Sequence, residues 1–196
     1  HVHPDHASPG NLLLERFFTS APGNRSTSLI APDGVLHELR TTILPFVGIH
    51  SNHEGRVVST GLDTLAHYFA KREIEIGGVK FQWFPVPHIE GNGVTKPAFG
   101  IIMDDGKARV IWSGDTMFRQ DWVEDMMGDS SVDHLFHECS FSPPFLGTVH
   151  THYEELKDLS DDIAKRTTFM HYAHIPDDLD LSRWAGAAKR HQVFAF

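Results

Sequence analysis

Apolar and polar positions alternate most regularly over residues 72–86, REIEIGGVKFQWFPV. A period of two predicts strands, and the Gly-Gly pair between the two runs predicts a β-hairpin. AFGIIMDDGKARVIWSGD repeats the arrangement: apolar run, DDGK turn, apolar run. SVDHLFHE adds a further apolar-rich strand. Upstream, Thr27 to Ile30 reads as a short strand closed by APDG, with a helix from Gly34 to Thr42 capped by Asp33. Ser8 is placed to cap an earlier helix through residues 11–18. YEELKDLSDDIAKR, residues 153–166, carries the clearest helical periodicity. TTFMHY, a helix near residues 180–190 and HQVFAF predict a strand–helix–strand ending. Residues 45–62, rich in Gly, Ser, Asn and His, read as irregular. Hairpins followed by βα units predict an α/β or α+β layered domain.

Composition excludes several classes. Hydrophobic content of 40% and charged content of 22% are ordinary for a globular chain of 196 residues, long enough for a sizeable core. No run approaches the roughly 20 apolar residues of a membrane-spanning helix. The single cysteine, Cys139, excludes an intramolecular disulfide framework and fits a reducing compartment, hence the cytoplasm. A net charge of −9 argues against a broad nucleic-acid-binding face, which needs clustered Lys and Arg. The departure from the ordinary is in histidine: 15 of them, against 17 Lys plus Arg.

Three histidines and an aspartate occupy the first six residues, HVHPDH. Imidazole nitrogens and carboxylate oxygens suit zinc, and also iron or manganese. His1 and His3 alternate, so an extended backbone turns both to one side. Asp5 and His6 are adjacent and placed to reach a second ion, because four such side chains crowd a single tetrahedral ion. The plain alternative is a polar chain end without a metal. Further ligand-type residues stand just past apolar runs: His88 after FQWFPV, Asp115 after RVIW, and His171 after TTFM. Singly, a histidine there is most often structural; together with HVHPDH they form a joint signal.

This ordered set resembles the metallo-β-lactamase superfamily: an H-x-H-x-D-H run, a lone His, a bridging Asp, and a last His. The match is closest to its ribonuclease Z-like phosphodiesterase branch, with Asp115 in SGDT, the pair His137-Glu138, and VHTH at residues 149–152. The resemblance covers nearly the whole chain. It implies a four-layer αββα sandwich of the metallo-β-lactamase type, one metallo-hydrolase domain over residues 1–196. In that fold strands precede the H-x-H-x-D-H run, so an N-terminal segment is expected ahead of His1. The resemblance further implies two divalent ions, zinc by preference and manganese or iron as alternatives. His1, His3 and His88 would hold one, Asp5, His6 and His171 the other, and Asp115 both. His174 is a rival for His171.

The implied reaction is phosphodiester hydrolysis by a metal-bridged hydroxide, with Asp5, Glu138 and His150 as catalytic residues. His150 would protonate the leaving oxygen, oriented by Glu138, and His152 is the alternative donor. Paired ions generate hydroxide near neutral pH and neutralise the charge that otherwise repels a nucleophile from the diester. A histidine titrating near 6.5 can supply the departing oxygen's proton. Ribonuclease Z enzymes grip transfer RNA with a protruding arm, and no Gly-rich basic excursion of that kind occurs here. With the negative net charge, this favours a small or cyclic nucleotide-type phosphodiester over a large nucleic acid, with no membrane partner. Relatives of this fold are often dimers, so a homodimer is among the implied states. VHTHYEEL departs from ribonuclease Z proper, which keeps Ser or Thr where His152 stands.

Three other readings stay open at this level: a same-fold hydrolase of a lactone, thioester or lactam; a non-catalytic metal-binding or ligand-sensing module; and an oxygen- or nitric-oxide-reducing diiron site. The last expects a Glu near His3 or His6 and a flavin partner, neither of which is evident. His37, His50, His53, His67, His134, His137 and His191 have no motif support and read as structural or surface residues, with His50 and His53 placed to line a cleft.

Overall fold

The computed structural model describes residues 1–3, 27–44, 48–53, 56–61, 66–91, 93–142 and 149–196. The chain divides into two compact units, His1–Arg72 and Glu73–Phe196. The predicted helix over 11–18, Asp5 and His6 lie outside the described residues.

In the first unit, β1 (Thr27–Ala31) pairs in parallel with β4 (Ala66–Ala70), Thr27 opposite Ala66 and Ala31 opposite Ala70. Between them α1 (Asp33–Glu38) starts two residues after β1, with Pro32 rather than Asp33 at the N-cap and no side-chain cap. It continues into a π-helical turn, Leu39–Ile43. Val2, Leu39 and Leu44 are buried together, with Leu29, Val35 and Tyr68 against them. The segment read as irregular contains a hairpin instead: β2 (Gly48–His53) pairs antiparallel with β3 (Arg56–Gly61). Between these runs the sequence offers only Gly55 as a turn signal, and Glu-Gly is not among the favoured hairpin pairs.

The second unit is built on a mixed seven-stranded sheet, order β13-β12-β11-β10-β9-β6-β5. β5 (Glu73–Ile76) and β6 (Val79–Val86) form the expected hairpin. Gly77 and Gly78 both have positive φ, +62° and +81°, which the primed hairpin turns require. The short β7 (Glu90–Gly91) and β8 (Val94–Thr95) pair apart from this sheet. β9 (Ala98–Asp104) runs antiparallel to both β6 and β10 (Arg109–Trp112), so β6 and β10 point the same way. β10, β11 (His134–Glu138), β12 (Thr167–Met170) and the two-residue β13 (Gly186–Ala187) are parallel neighbours.

Alternation places Ile102, Ile111, Leu135 and Phe169 on one face. Against them pack Val123 and Met127 of α2 (Gln120–Gly128), Leu156 of α3 (Tyr153–Leu156), and Ile163 and Ala164 of α4 (Asp161–Lys165). Burying each of the larger side chains contributes roughly 1.5–3 kcal/mol. The opposite face carries Val110, Phe136 and Met170, with Met103 and Phe194 against them.

Two expectations for the second unit need correction. The single helix over 153–166 is two short ones, because the Ser160 hydroxyl accepts from the Ile163 N–H and starts α4 afresh. The strand–helix–strand ending is also replaced. Residues 180–190 form turns around β13, and in HQVFAF the Phe194 and Phe196 rings lie 4.8 and 6.1 Å from Phe136, packed on the sheet's face rather than paired at its edge. Among the described residues no helix is long and apolar enough to cross a membrane.

Candidate functional site

Strand direction gathers the ligand-type residues of the second unit. β6, β10, β11 and β12 share one direction, so their C-terminal ends lie along one edge of the sheet. His88 comes just after β6, Asp115 after β10 and His171 after β12, while Glu138 closes β11. His150 arrives from the connection between β11 and α3. Ligands in sheets of this kind gather at the carboxyl ends of parallel strands.

Asp115, Glu138, His150 and His171 each place one ligand-type atom within 4.8 Å of the others. His150 Nδ1 lies 2.7 Å from Glu138 Oε2, and His171 Nδ1 lies 3.3 Å from that oxygen and 3.4 Å from Asp115 Oδ1. His88 Nε2 stands 3.9 Å from Asp115 Oδ2. The His150 ring is flanked by those of His88 and His171, centroids 5.1 and 5.3 Å away. Asp115 is 2% exposed, Glu138 1% and His88 1%, so these charges interact with little screening.

The surroundings tune each group. Burial pushes the His88 imidazole below its ordinary value, partly offset by its bond to the Val149 carbonyl and by Asp115. His88 Nδ1–H donates to that carbonyl at 2.9 Å, so Nε2 carries the lone pair and faces Asp115. Burial alone would raise the Glu138 carboxyl. Hydrogen bonds from His150, His171 and the Thr116 N–H outweigh it and hold the carboxyl below its ordinary value. The hydrogen bond to Glu138 raises His150, against its partial burial.

Residues the sequence reading passed over hold this arrangement in place. The Thr116 N–H donates to Glu138 Oε1, its hydroxyl donates to the Pro87 carbonyl at 3.0 Å, and its own carbonyl accepts from Thr151 Oγ1 at 2.8 Å. One threonine therefore ties together the connections that carry His88, Asp115, Glu138 and His150. Ser113 Oγ accepts from the Glu138 N–H at 3.1 Å. Both residues stand in SGDT, beside a residue already singled out; what the sequence lacked was their partners. Gly114 has φ +64°, and a Cβ there would lie 2.7 Å from the Phe99 carbonyl oxygen. His171 also adopts positive φ, +55°, a conformation that costs a non-glycine residue about 1–2 kcal/mol.

The structure places the rivals differently. His152 does not face Glu138: its Nδ1 accepts from the Glu154 N–H at 3.2 Å and its Nε2–H donates to the Ser142 carbonyl. One ring nitrogen thus caps α3 and the other holds the Ser142 carbonyl, so neither is directed at Glu138. His174 and His171 are both exposed, but among the described residues only His171 joins the four-residue group. His137 is fully buried, and its Nδ1–H donates to the Glu138 carbonyl at 2.7 Å. In the first unit the rings of His1 and His3 meet edge-on at 4.3 Å, with Nε2 and Nδ1 2.8 Å apart, while Val2 between them is buried.

The donors fit a divalent metal. His88 Nε2 and Asp115 Oδ2 are too far apart to share a proton, yet both are buried, and their mixed nitrogen–oxygen chemistry is that of zinc or a similar ion.

A family model described as "Anti-Pycsar protein Apyc1" matches residues 1–194. The protein of that name from Paenibacillus harenae is 27% identical over 184 residues, covering 90% of this chain and 68% of that protein. Its namesake from Saccharibacillus brassicae is 25% identical over 180 residues, covering 88% and 66%. The chain thus spans about two thirds of the length of these curated relatives. Among solved structures, the metallo-beta-lactamase fold protein YhfI from Bacillus subtilis superposes with a TM-score of 0.60 at 15% identity, over 95% of this chain and 70% of that one.

Proposed function

The chain belongs to the Anti-Pycsar protein Apyc1 family and has the metallo-β-lactamase fold, and from that premise we propose that it is a metal-dependent phosphodiesterase acting on a small or cyclic nucleotide-type phosphodiester. The observation that carries this reading is the buried Glu138 carboxylate bound to His150 at 2.7 Å, beside the ligand-type group of Asp115, His88 and His171.

Asp115, His88 and His171 would hold metal, and the sequence motif adds His1, His3, Asp5 and His6 as further ligands. Two divalent ions, zinc by the character of the donors, would supply charge neutralisation for the diester and a lowered pKa for water. The protein's own part is proton management. His150 Nδ1–H stays on Glu138, so the proton it passes on sits at Nε2. In its cationic form the ring donates that proton to the leaving oxygen as the P–O bond breaks. The neutral ring that remains keeps the tautomer Glu138 selects. An alkoxide is a poor leaving group, and an acid placed this way favours a phosphodiester over a lactam, thioester or lactone. A small substrate agrees with the net charge of −9. The one buried cysteine fits a reducing cytoplasm.

The test is hydrolysis of bis(p-nitrophenyl) phosphate and of 3′,5′-cyclic nucleotides by zinc- or manganese-loaded protein, before and after chelation. Chelator-sensitive turnover is expected. Metal-loaded protein that cleaves neither substrate defeats the proposal and returns the site to another ester or to a sensing role.

A further inference from the structure

Glu138 stands just past the place where the ladder between β10 and β11 gives out. β10 ends at Trp112, and the Ser113 N–H still donates to the Phe136 carbonyl at 2.9 Å. Gly114, with φ +64°, then turns the chain away. In a parallel ladder the next two rungs on that side belong to the Glu138 N–H and carbonyl. Both need side-chain partners instead, because an unmet buried backbone group is destabilising. The N–H donates to Ser113 Oγ at 3.1 Å. The carbonyl accepts from the Nδ1–H of the preceding residue, His137, at 2.7 Å.

Packing does not account for an imidazole at this position. His137 is fully buried, with the Phe118 and Trp122 rings 6.4 and 6.5 Å from its own. Burial pushes the ring below its ordinary value, so at neutral pH it is uncharged and carries one ring proton. That proton is on Nδ1, which leaves Nε2 buried and, among the described residues, without a hydrogen-bond partner. A buried acceptor left in this way is destabilising, and Phe or Leu would fill the space without one. What His137 supplies that an apolar residue cannot is the Nδ1–H.

We propose that His137 is a positioning residue for catalysis, pinning the Glu138 main chain so that the carboxylate reaches His150. The assignment rests on the phosphodiesterase reading. Ser113 holds the Glu138 N–H, His137 its carbonyl, and the Thr116 N–H its Oε1. Oε2 is thereby aimed at His150, 2.7 Å away, with His171 at 3.3 Å. Releasing the carbonyl frees the backbone at the one residue that orients the acid. A displacement of about 1 Å between groups that must meet costs on the order of 10²-fold in rate.

Two variants separate positioning from packing. Each is metal-loaded, assayed on a 3′,5′-cyclic nucleotide and on bis(p-nitrophenyl) phosphate, and melted. His137→Phe fills the space but donates nothing. His137→Asn leaves part of the space empty but can place an N–H where Nδ1–H stands. For His137→Phe, kcat on the cyclic nucleotide, whose alkoxide needs an acid, should fall on the order of 10–10²-fold. On bis(p-nitrophenyl) phosphate, whose phenolate leaves readily, it should fall much less. His137→Asn should recover most of the lost nucleotide kcat although the cavity gives it the lower melting temperature of the two. Packing alone predicts the reverse order, with activity following melting temperature. That order, equal losses on both substrates, or full nucleotide activity in His137→Phe overturns the assignment and leaves the phosphodiesterase reading intact. If His137→Asn does not fold, the substrate ratio of His137→Phe decides alone. Wild type that cleaves bis(p-nitrophenyl) phosphate but no nucleotide also overturns the assignment, since no alkoxide then needs a positioned acid. Metal-loaded wild type inert on both substrates overturns the underlying reading itself.

Discussion

At the residue scale, the question the sequence left open was which histidine gives up a proton. His150 and His152 are two residues apart, and either fits the motif. The ring nitrogens differ: His150 has Nδ1 on Glu138, whereas His152 has Nδ1 in the cap of α3 and Nε2 on the Ser142 carbonyl. His150→Gln should therefore retain metal, measured by elemental analysis. It should lose on the order of 10²–10⁴ in kcat for substrates with alkoxide leaving groups, and much less for bis(p-nitrophenyl) phosphate. The raised pKa gives the pH dependence its sign. His150 works as an acid only while protonated, so kcat should fall as pH rises through its value, which lies above the ordinary 6.5. The limb should vanish in His150→Gln. The same pair contributes stability that is fully present below 6.5 on the His150 side and fades as pH rises through the raised value. On the Glu138 side the contribution is present above 4.5 and fades as pH falls through the lowered value. Urea midpoints measured across both limbs, wild type against His150→Gln, should converge at the two extremes.

At the scale of elements, two hairpins were legible because each carries its own turn, Gly77-Gly78 between β5 and β6 and residues 105–108 between β9 and β10, while the β2–β3 hairpin was read as irregular. Helices were less so. The 153–166 pattern has one apolar stripe, and Leu156, Leu159 and Ile163 do share one core, but periodicity alone does not report the break at Ser160. A hydroxyl that accepts from Ile163 N–H competes with helix continuation, and the competition is settled by where the chain must turn toward β12. Ser160→Ala should lower unfolding stability by about 1 kcal/mol, read from urea denaturation, with hydrolysis unaffected. The tail HQVFAF erred the other way. Its apolar content reads as strand, yet the open face at Val110, Phe136 and Met170 offers more apolar contact than an edge would.

At the scale of the whole molecule, the ligand-type residues of the second unit sit at the ends of parallel-directed strands, and two buried carboxylates, Asp115 and Glu138, face three imidazoles. Divalent metal should stabilise that arrangement by binding only the folded protein. At a concentration 100-fold over its dissociation constant the gain is about 2.7 kcal/mol, or a rise in melting temperature of roughly 5–10 °C for a chain of this size. Scanning calorimetry with zinc and with chelator checks it, and Asp115→Ala should abolish the shift.

The sequence by itself determined the strand pattern of the second unit, the residue types past each strand, and through their order the superfamily. These follow from backbone alternation and from side-chain chemistry, both local properties. Only the tertiary structure decided which of those residues meet. It put His150 rather than His152 against Glu138, put His171 rather than His174 against Asp115, and made Thr116 the link between connections 29 and 35 residues away in sequence. Such choices depend on which donors and acceptors meet across the sheet edge, and no spacing along the chain encodes the direction in which a ring nitrogen points.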